Sequence, residues 1–182
     1  MIEAGFDVCI RISPHSDHDR LVYTELAPNS RQLVATPEYL AAHGAPQKPA
    51  DLNQHWLITQ IANSSSNYWH FKDGSGVQTI HARGRLMMDS GDAMLRAVLN
   101  NGGIAMLPTY MTARHIRAGA VTTILDSLVI EDYPIHAVTV PSRHAVPKID
   151  VFLEFLQSLY SVTPYWDALD GPPSAAALRA SL

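Results

Sequence analysis

The residues best suited to hold a ligand form one turn, Asp89-Ser90-Gly91, inside the stretch 84–111, GRLMMDSGDAMLRAVLNNGGIAMLPTYM. Asp and Ser side-chain oxygens accept from unpaired backbone N–H groups, so both residue types mark helix starts. The free N–H groups and helix dipole at such a turn favour an anionic group such as a carboxylate. The same residues can act purely as a cap, and the turn by itself allows either role. His15, Asp17, His18 and Asp19 bring imidazole and carboxylate together in the polar loop 14–20, a donor set that suits zinc and related ions. Nothing in that loop orients the four side chains on one face, so a solvated turn is expected and no metal site. Ser, His and Asp are numerous enough to draw a triad. However, the chain has no G-x-S-x-G elbow, no H-E-x-x-H and no glycine-rich phosphate loop, so the sequence points away from catalysis.

The elements that must position the turn are read from the same stretch. Residues 85–88 form a short apolar run. Met94, Ala97 and Val98 then fall at i, i+3, i+4 with Leu95 and Leu99 beside them, and Asn101-Gly102-Gly103 supplies a helix stop. Residues 104–107 read as a buried strand, which Pro108 closes before opening the next helix. This order is a βαβα unit. A parallel strand-helix-strand connection is nearly always right-handed and puts its first turn at the carboxyl edge of the sheet, where open α/β sheets bind ligands.

Elsewhere, strands are expected over 5–13, 21–26, 31–36 and 56–61. Thr36 and Pro37 start a short helix that ends at Gly44, and the polar loop 63–67 can be solvated or can line a pocket. Residues 68–71 and 77–83 flank Asp73-Gly74-Ser75-Gly76 as a hairpin. A helix over 109–118 and strands over 121–125 and 134–140 follow. The last helix starts at Pro147, with Val151, Phe152, Phe155, Leu156, Leu159 and Tyr160 as its apolar stripe. Beyond Pro164 the composition turns to Pro, Ala, Ser and Gly, which predicts a weakly ordered tail over 164–182.

The 182 residues are 47% hydrophobic and only 16% charged, against a usual share of about 25% charged. A net charge of −4 and a pI near 6.1, without any Lys/Arg run, argue against nucleic-acid binding by this chain itself. The single Cys9 excludes an intrachain disulfide and reads as a buried, inert thiol in a strand. The first residues, MIEAGFDVCIRIS, carry no basic region before an apolar stretch, and no segment reaches membrane-spanning length, so a cytoplasmic protein with no membrane partner is expected.

In order along the chain, Gly5-Phe6-Asp7-Val8-Cys9-Ile10-Arg11-Ile12, Leu26-Ala27-Pro28, Ala35-Thr36-Pro37-Glu38-Tyr39-Leu40, Pro49-Ala50-Asp51-Leu52, Gly84-Arg85-Leu86, the 89–107 segment with Pro108, and Pro134-Ile135-His136-Ala137-Val138 resemble one known family. It is the C-terminal effector-binding domain of LysR-type transcriptional regulators. The resemblance implies an α/β, periplasmic-binding-protein-like (type 2) two-lobed fold with a small organic effector between the lobes. Residues 31–125 resemble the second lobe. Residues 1–30 and 126–163 resemble a partial first lobe, leaving that lobe incomplete. The family's winged helix-turn-helix and linker helix have no counterpart in this chain, so DNA contact is expected only through such a domain, in a homodimer or tetramer. An incomplete first lobe would leave the last helix's stripe exposed and promote self-association.

By position in the motif, the resemblance puts Ser13, Thr36, Asn63, Ser64, Ser65, Asp89, Ser90, Gly91, Pro108 and Thr109 at the effector, with no cofactor and no catalytic group. Many relatives carry Asn where this chain has Asp89. A carboxylate there would repel an acidic effector and prefer a cationic or hydroxylated one. Two rival readings remain: a periplasmic-type solute-binding protein, which would need an apolar leader upstream, and, more remotely, an enzyme.

Overall fold

The computed structural model describes residues 6–12, 21–61, 67–74, 76–130, 134–144, 146–160 and 164–167. In chain order the elements are β1 (Cys9–Ile12), β2 (Val22–Ala27), β3 (Arg31–Ala35), α1 (Pro37–His43), a 3-10 helix (Pro49–Gln54), β4 (Leu57–Gln60), β5 (Tyr68–Asp73), β6 (Gly76–His81) and β7 (Leu86–Met88). They continue as α2 (Gly91–Leu99), β8 (Ile104–Pro108), α3 (Thr109–Arg117), β9 (Thr122–Ile124), β10 (Val129–Ile130), β11 (Ile135–Thr139), α4 (Pro141–His144) and α5 (Pro147–Leu159). The chain divides into two compact units, Met1–Asn29 with Asp132–Leu182, and Ser30–Glu131.

The second unit, 30–131, is built on a five-stranded sheet in the order β7-β4-β8-β3-β9. β7, β4 and β8 run parallel, and β3 runs antiparallel to both β8 and β9. The expected βαβα unit is present as β7-α2-β8-α3, with β4 inserted between its two strands. Leu33, Ala35, Leu57, Ile104, Met106 and Ile124 face Tyr39, Leu52, Trp69 and Phe71 on one side of the sheet. Val34, Ile58, Ala105 and Leu107 face Met94, Leu95 and Val98 of α2 on the other. Burial on both faces accounts for the unbroken apolar runs in β3 and β8, and each such Leu or Ile contributes about 1.5–3 kcal/mol. A smaller antiparallel sheet, β10-β5-β6, contains the expected hairpin with register Asp73↔Gly76.

α2 ends at the expected Asn101-Gly102-Gly103 stop. Asn101, with φ 61°, takes the left-handed position. Asn101 N donates to Val98 O at 2.9 Å and Gly102 N to Ala97 O at 2.9 Å, the paired bonds of a Schellman turn. Gly103, with φ 134°, serves another purpose: a Cβ on it would lie 2.1 Å from the carbonyl oxygen of Trp56.

The first unit contains the antiparallel sheet β1-β11-β2. β11 is buried throughout, and α5 packs on β2. The seam of α5 is Ile149 and Leu153, continued by half-buried Leu156 and Tyr160. Val151 is 66% and Phe152 43% exposed. Val151 lies about 200° around the helix from Ile149, so the expected stripe was out of phase by its first two members. Phe6 before β1 and Ile10 and Ile12 on it are exposed, and Cys9 is half-buried where a buried thiol was expected. Pro164 to Asp167 form a turn closed by Asp167 N to Pro164 O at 2.8 Å, with Trp166 buried edge-on against Tyr160. The rest of the expected tail, 168–182, the loop with His15, Asp17, His18 and Asp19, Ser13 and the Asn63, Ser64 and Ser65 loop lie outside the described residues.

Gly103→Ala is expected to lower unfolding stability by about 2 kcal/mol or more, because a methyl group at this φ collides with backbone. Gly119→Ala, at φ 69° with open space around it, should cost only about 1 kcal/mol. Urea unfolding midpoints of the two variants check the difference; equal losses would remove the close approach as the cause.

Candidate functional site

Because β4, β7 and β8 are parallel, their carboxyl ends lie on one edge of the second unit's sheet. That edge carries Gln60 and Ile61, Asp89-Ser90-Gly91, and Pro108-Thr109. Backbone bonds tie it together: Ile61 N donates to Met88 O at 2.9 Å and Thr109 N to Ser30 O at 2.9 Å. β3 begins here, with Arg31 opposite Pro108.

Ser90 is the N-cap residue of α2, as the sequence suggested, and its carbonyl accepts from Met94 N at 3.0 Å. Its hydroxyl, however, makes no capping hydrogen bond, and Asp89 is exposed. The first N–H groups of α2 are thus left without a side-chain acceptor from the turn, and the pure-cap reading loses its main bond. Next to it, Pro108 precedes α3 and its carbonyl accepts from Thr112 Oγ1 at 3.3 Å. Thr109 is 4% exposed, and its hydroxyl has no partner.

Ser90, Gly91, Asp92 and Leu95 of α2 and Tyr110, Met111 and Arg114 of α3 line a recess of about 420 Å³. Tyr110 and Arg114 are one turn apart on α3 and so share its face. Burial raises the Tyr110 phenol above its ordinary pKa of 10.0, and the Asp92 carboxylate raises it further, so it remains a neutral hydrogen-bond donor. Arg114 Nε donates to His115 Nε2 at 3.0 Å. Burial, then the Arg114 charge, lowers the His115 pKa, which keeps that ring neutral and able to accept. The recess therefore offers a guanidinium and helix N–H groups for an anionic oxygen, and a carboxylate and phenol for a cationic or hydroxylated group.

The structure brings together Asp89, Ser90, Gly91, Pro108 and Thr109 of the expected residues. Thr36 is elsewhere. β3 runs antiparallel to β8, so its end lies beside the start of β8, about 13 Å or more along the strands from Pro108. The Thr36 hydroxyl is also engaged: it accepts from Tyr39 N at 3.2 Å and donates to Asn101 Oδ1. Asp92, Tyr110 and Arg114 also line the recess and were not among the expected residues.

The model of the LysR substrate binding domain matches residues 1–161. The chain belongs to this family. Its relatives include an HTH-type transcriptional repressor of Pseudomonas aeruginosa, 24% identical over 184 residues that cover 100% of this chain and 57% of the relative. The HTH-type transcriptional regulator PtxR of the same species is 28% identical over 165 residues, covering 91% and 53%. The regulatory domain of CrgA, a LysR-type transcriptional regulator from Neisseria meningitidis, superposes with a TM-score of 0.75 at 26% identity, covering 86% of this chain and 76% of that one. The chain spans about half the length of the curated relatives it matches. It is a LysR-type effector-binding domain with the type 2 periplasmic-binding-protein-like fold, in a family of transcriptional regulators and not of enzymes. Among the described residues no helix is long and apolar enough to cross a membrane.

Removing the Asp92 charge should lower the pKa of Tyr110, since a neighbouring anion disfavours tyrosinate. Ultraviolet titration of Asp92→Asn, with Tyr110→Phe subtracted to isolate this phenol, reads the shift. An unchanged titration would show that the carboxylate does not face the ring.

Proposed function

We propose that this LysR-type domain holds a small organic effector at the carboxyl edge of β4, β7 and β8, and that the effector is hydroxylated or zwitterionic. The observation that carries this reading is the recess at the N-termini of α2 and α3, where Ser90 and Gly91 meet Asp92, Tyr110 and Arg114. An effector carboxylate sits against Arg114 and the uncapped N–H groups of α2. Its hydroxyl or ammonium group faces Asp92 and Tyr110, which accommodates the acidic character the turn already has at Asp89. The unpartnered Thr109 hydroxyl, one residue before Tyr110, adds a buried polar group to the same edge. Asn63, Ser64 and Ser65 belong to the site on sequence grounds, since their loop leaves from the end of β4, and Ser13 does so by family position alone. Thr36 is not included.

In this reading the 30–131 unit is the family's second lobe, and 1–29 with 132–182 belongs to its first. The domain binds its effector without turning it over, in the cytoplasm and as part of a homo-oligomeric regulator. A helix-turn-helix domain of the longer protein touches the DNA, consistent with the relatives' description as HTH-type regulators.

The test is a thermal-shift screen of amino acids and hydroxy acids, followed by calorimetry of any ligand found. A ligand at one hundred times its Kd stabilises a single-site protein by about 2.7 kcal/mol, which a melting curve resolves. Arg114→Gln should weaken binding by about tenfold. Thr36→Ala should leave the affinity unchanged while costing about 1 kcal/mol of stability through loss of the α1 cap. Binding that survives Arg114→Gln but fails in Thr36→Ala would put the effector elsewhere.

A further inference from the structure

The second unit contains another recess, of about 460 Å³, that shares no residue with the one at α2 and α3. β6 is the edge strand of its sheet, and the side away from β5 faces the 3-10 helix across this recess. The floor is apolar, formed by buried Leu52, Leu57 and Ile80. The rim is polar, with Asn53 and His55 from the end of the 3-10 helix and Thr79, His81 and Arg83 from β6 and the residues after it. Among the described residues no carboxylate lines it, and Arg83 carries the one fixed charge. The nearest acidic group in sequence, Asp51, is engaged with the backbone, accepting from Gln47 N at 3.0 Å and Lys48 N at 3.2 Å.

We propose that this recess is a second ligand site, for a small organic carboxylate whose oxygens meet Arg83 and the His55 ring above the floor of Leu52, Leu57 and Ile80. The proposal is independent of the effector site above. Its geometry is already set by neighbouring contacts. Trp56 N donates to Tyr39 Oη at 2.9 Å, so the phenol keeps its own proton to donate to His55 Nδ1, 3.3 Å away. With Nδ1 accepting, the His55 N–H lies on Nε2 and remains available to an anion. Burial raises the Tyr39 pKa, which keeps that proton on the phenol. Burial, followed by the nearby His43, lowers the His55 pKa against the opposing effect of the Asp51 carboxylate, so the ring acts as a neutral donor. His81 is held by stacking on Tyr68, with centroids 4.8 Å apart and planes at 14°. A recess of this size above an apolar floor, with the His55 ring and a single guanidinium on its rim, fits a ring or short chain bearing one carboxylate.

The probe is benzoate, titrated into the 182-residue chain while the histidine ring Hε1 resonances are followed by NMR, with benzamide as its uncharged isostere. The expected result is a saturating shift of His55 and His81 with benzoate and none with benzamide. Arg83 is exposed, so Arg83→Gln should fold normally and weaken binding by about tenfold; Arg83→Glu should abolish it. Arg114→Gln, at the other recess, should leave the curve unchanged. A shift that does not saturate, an equal response to benzamide, an unchanged curve in both Arg83 variants or a loss in Arg114→Gln would overturn the proposal.

Discussion

The arrangement of the edge that carries Ser90 and Thr109 depends on one close approach of backbone to backbone. Gly103 sits where any side chain would strike the carbonyl of Trp56, and the next residue, Ile104, donates its N–H to that same oxygen at 2.8 Å. This contact starts β8 beside β4 in the parallel register Leu57↔Ile104. Once two short parallel strands begin level, they end level. The N-termini of the helices that follow β7 and β8 are then presented on one edge, and the recess lined by Ser90 and Arg114 follows from that. The Schellman turn at Asn101 delivers Gly103 to this position, and Thr36 pins the turn through Asn101 Oδ1. Thr36 thus holds that turn at the opposite end of the sheet from Pro108.

Elements whose signals are local were legible in the sequence. The β7-α2-β8-α3 unit declared itself through a cap residue, a 3.6-residue period, a stop and a proline within 28 consecutive residues, and the hairpin through its glycine-rich turn. What failed was phase, where an apolar pattern allowed more than one face. α5 offers Ile149, Val151, Phe152, Leu153, Phe155 and Leu156 in a row, which covers most of its circumference. Only packing on β2 selects Ile149 and Leu153. β1 shows a similar ambiguity, its alternation being clear although Ile10, Arg11 and Ile12 are all exposed.

The site was legible to the same degree and for the same reason. Asp89-Ser90-Gly91 and Pro108-Thr109 lie at strand ends within the local unit, and the structure places both on one edge. Thr36 also lies at a strand end, but the direction of β3 is a tertiary fact: a strand entering antiparallel sends its carboxyl end to the opposite edge. Tyr110 and Arg114 escaped notice because α3 reads as an amphipathic helix whose polar side is ordinarily solvated. Only the packing of α2 against α3 turns that side into a wall. The missing Ser90 cap bond is likewise invisible in sequence, because residue type marks the position of a cap without fixing where its hydroxyl points.

Trp56 joins the start of β4 and β8 to the residues behind the β6 recess. Its N–H is held by Tyr39 Oη, its carbonyl by Ile104 N, and its ring lies under the Arg85 guanidinium at 3.9 Å. Tyr39 is itself stacked on His43 at 4.4 Å and bonded to His55, which faces the second recess. A continuous set of contacts therefore runs from the β6 edge through His55, Tyr39 and Trp56 to the start of β4 and β8. Contiguity of this kind carries coupling only when an element in it has two arrangements. Here the Trp56 backbone is bonded on both sides and the Tyr39 ring is buried, conditions that favour one arrangement. Within the second unit these contacts hold the start of β4 and β8 and the His55 side of the β6 recess in one arrangement.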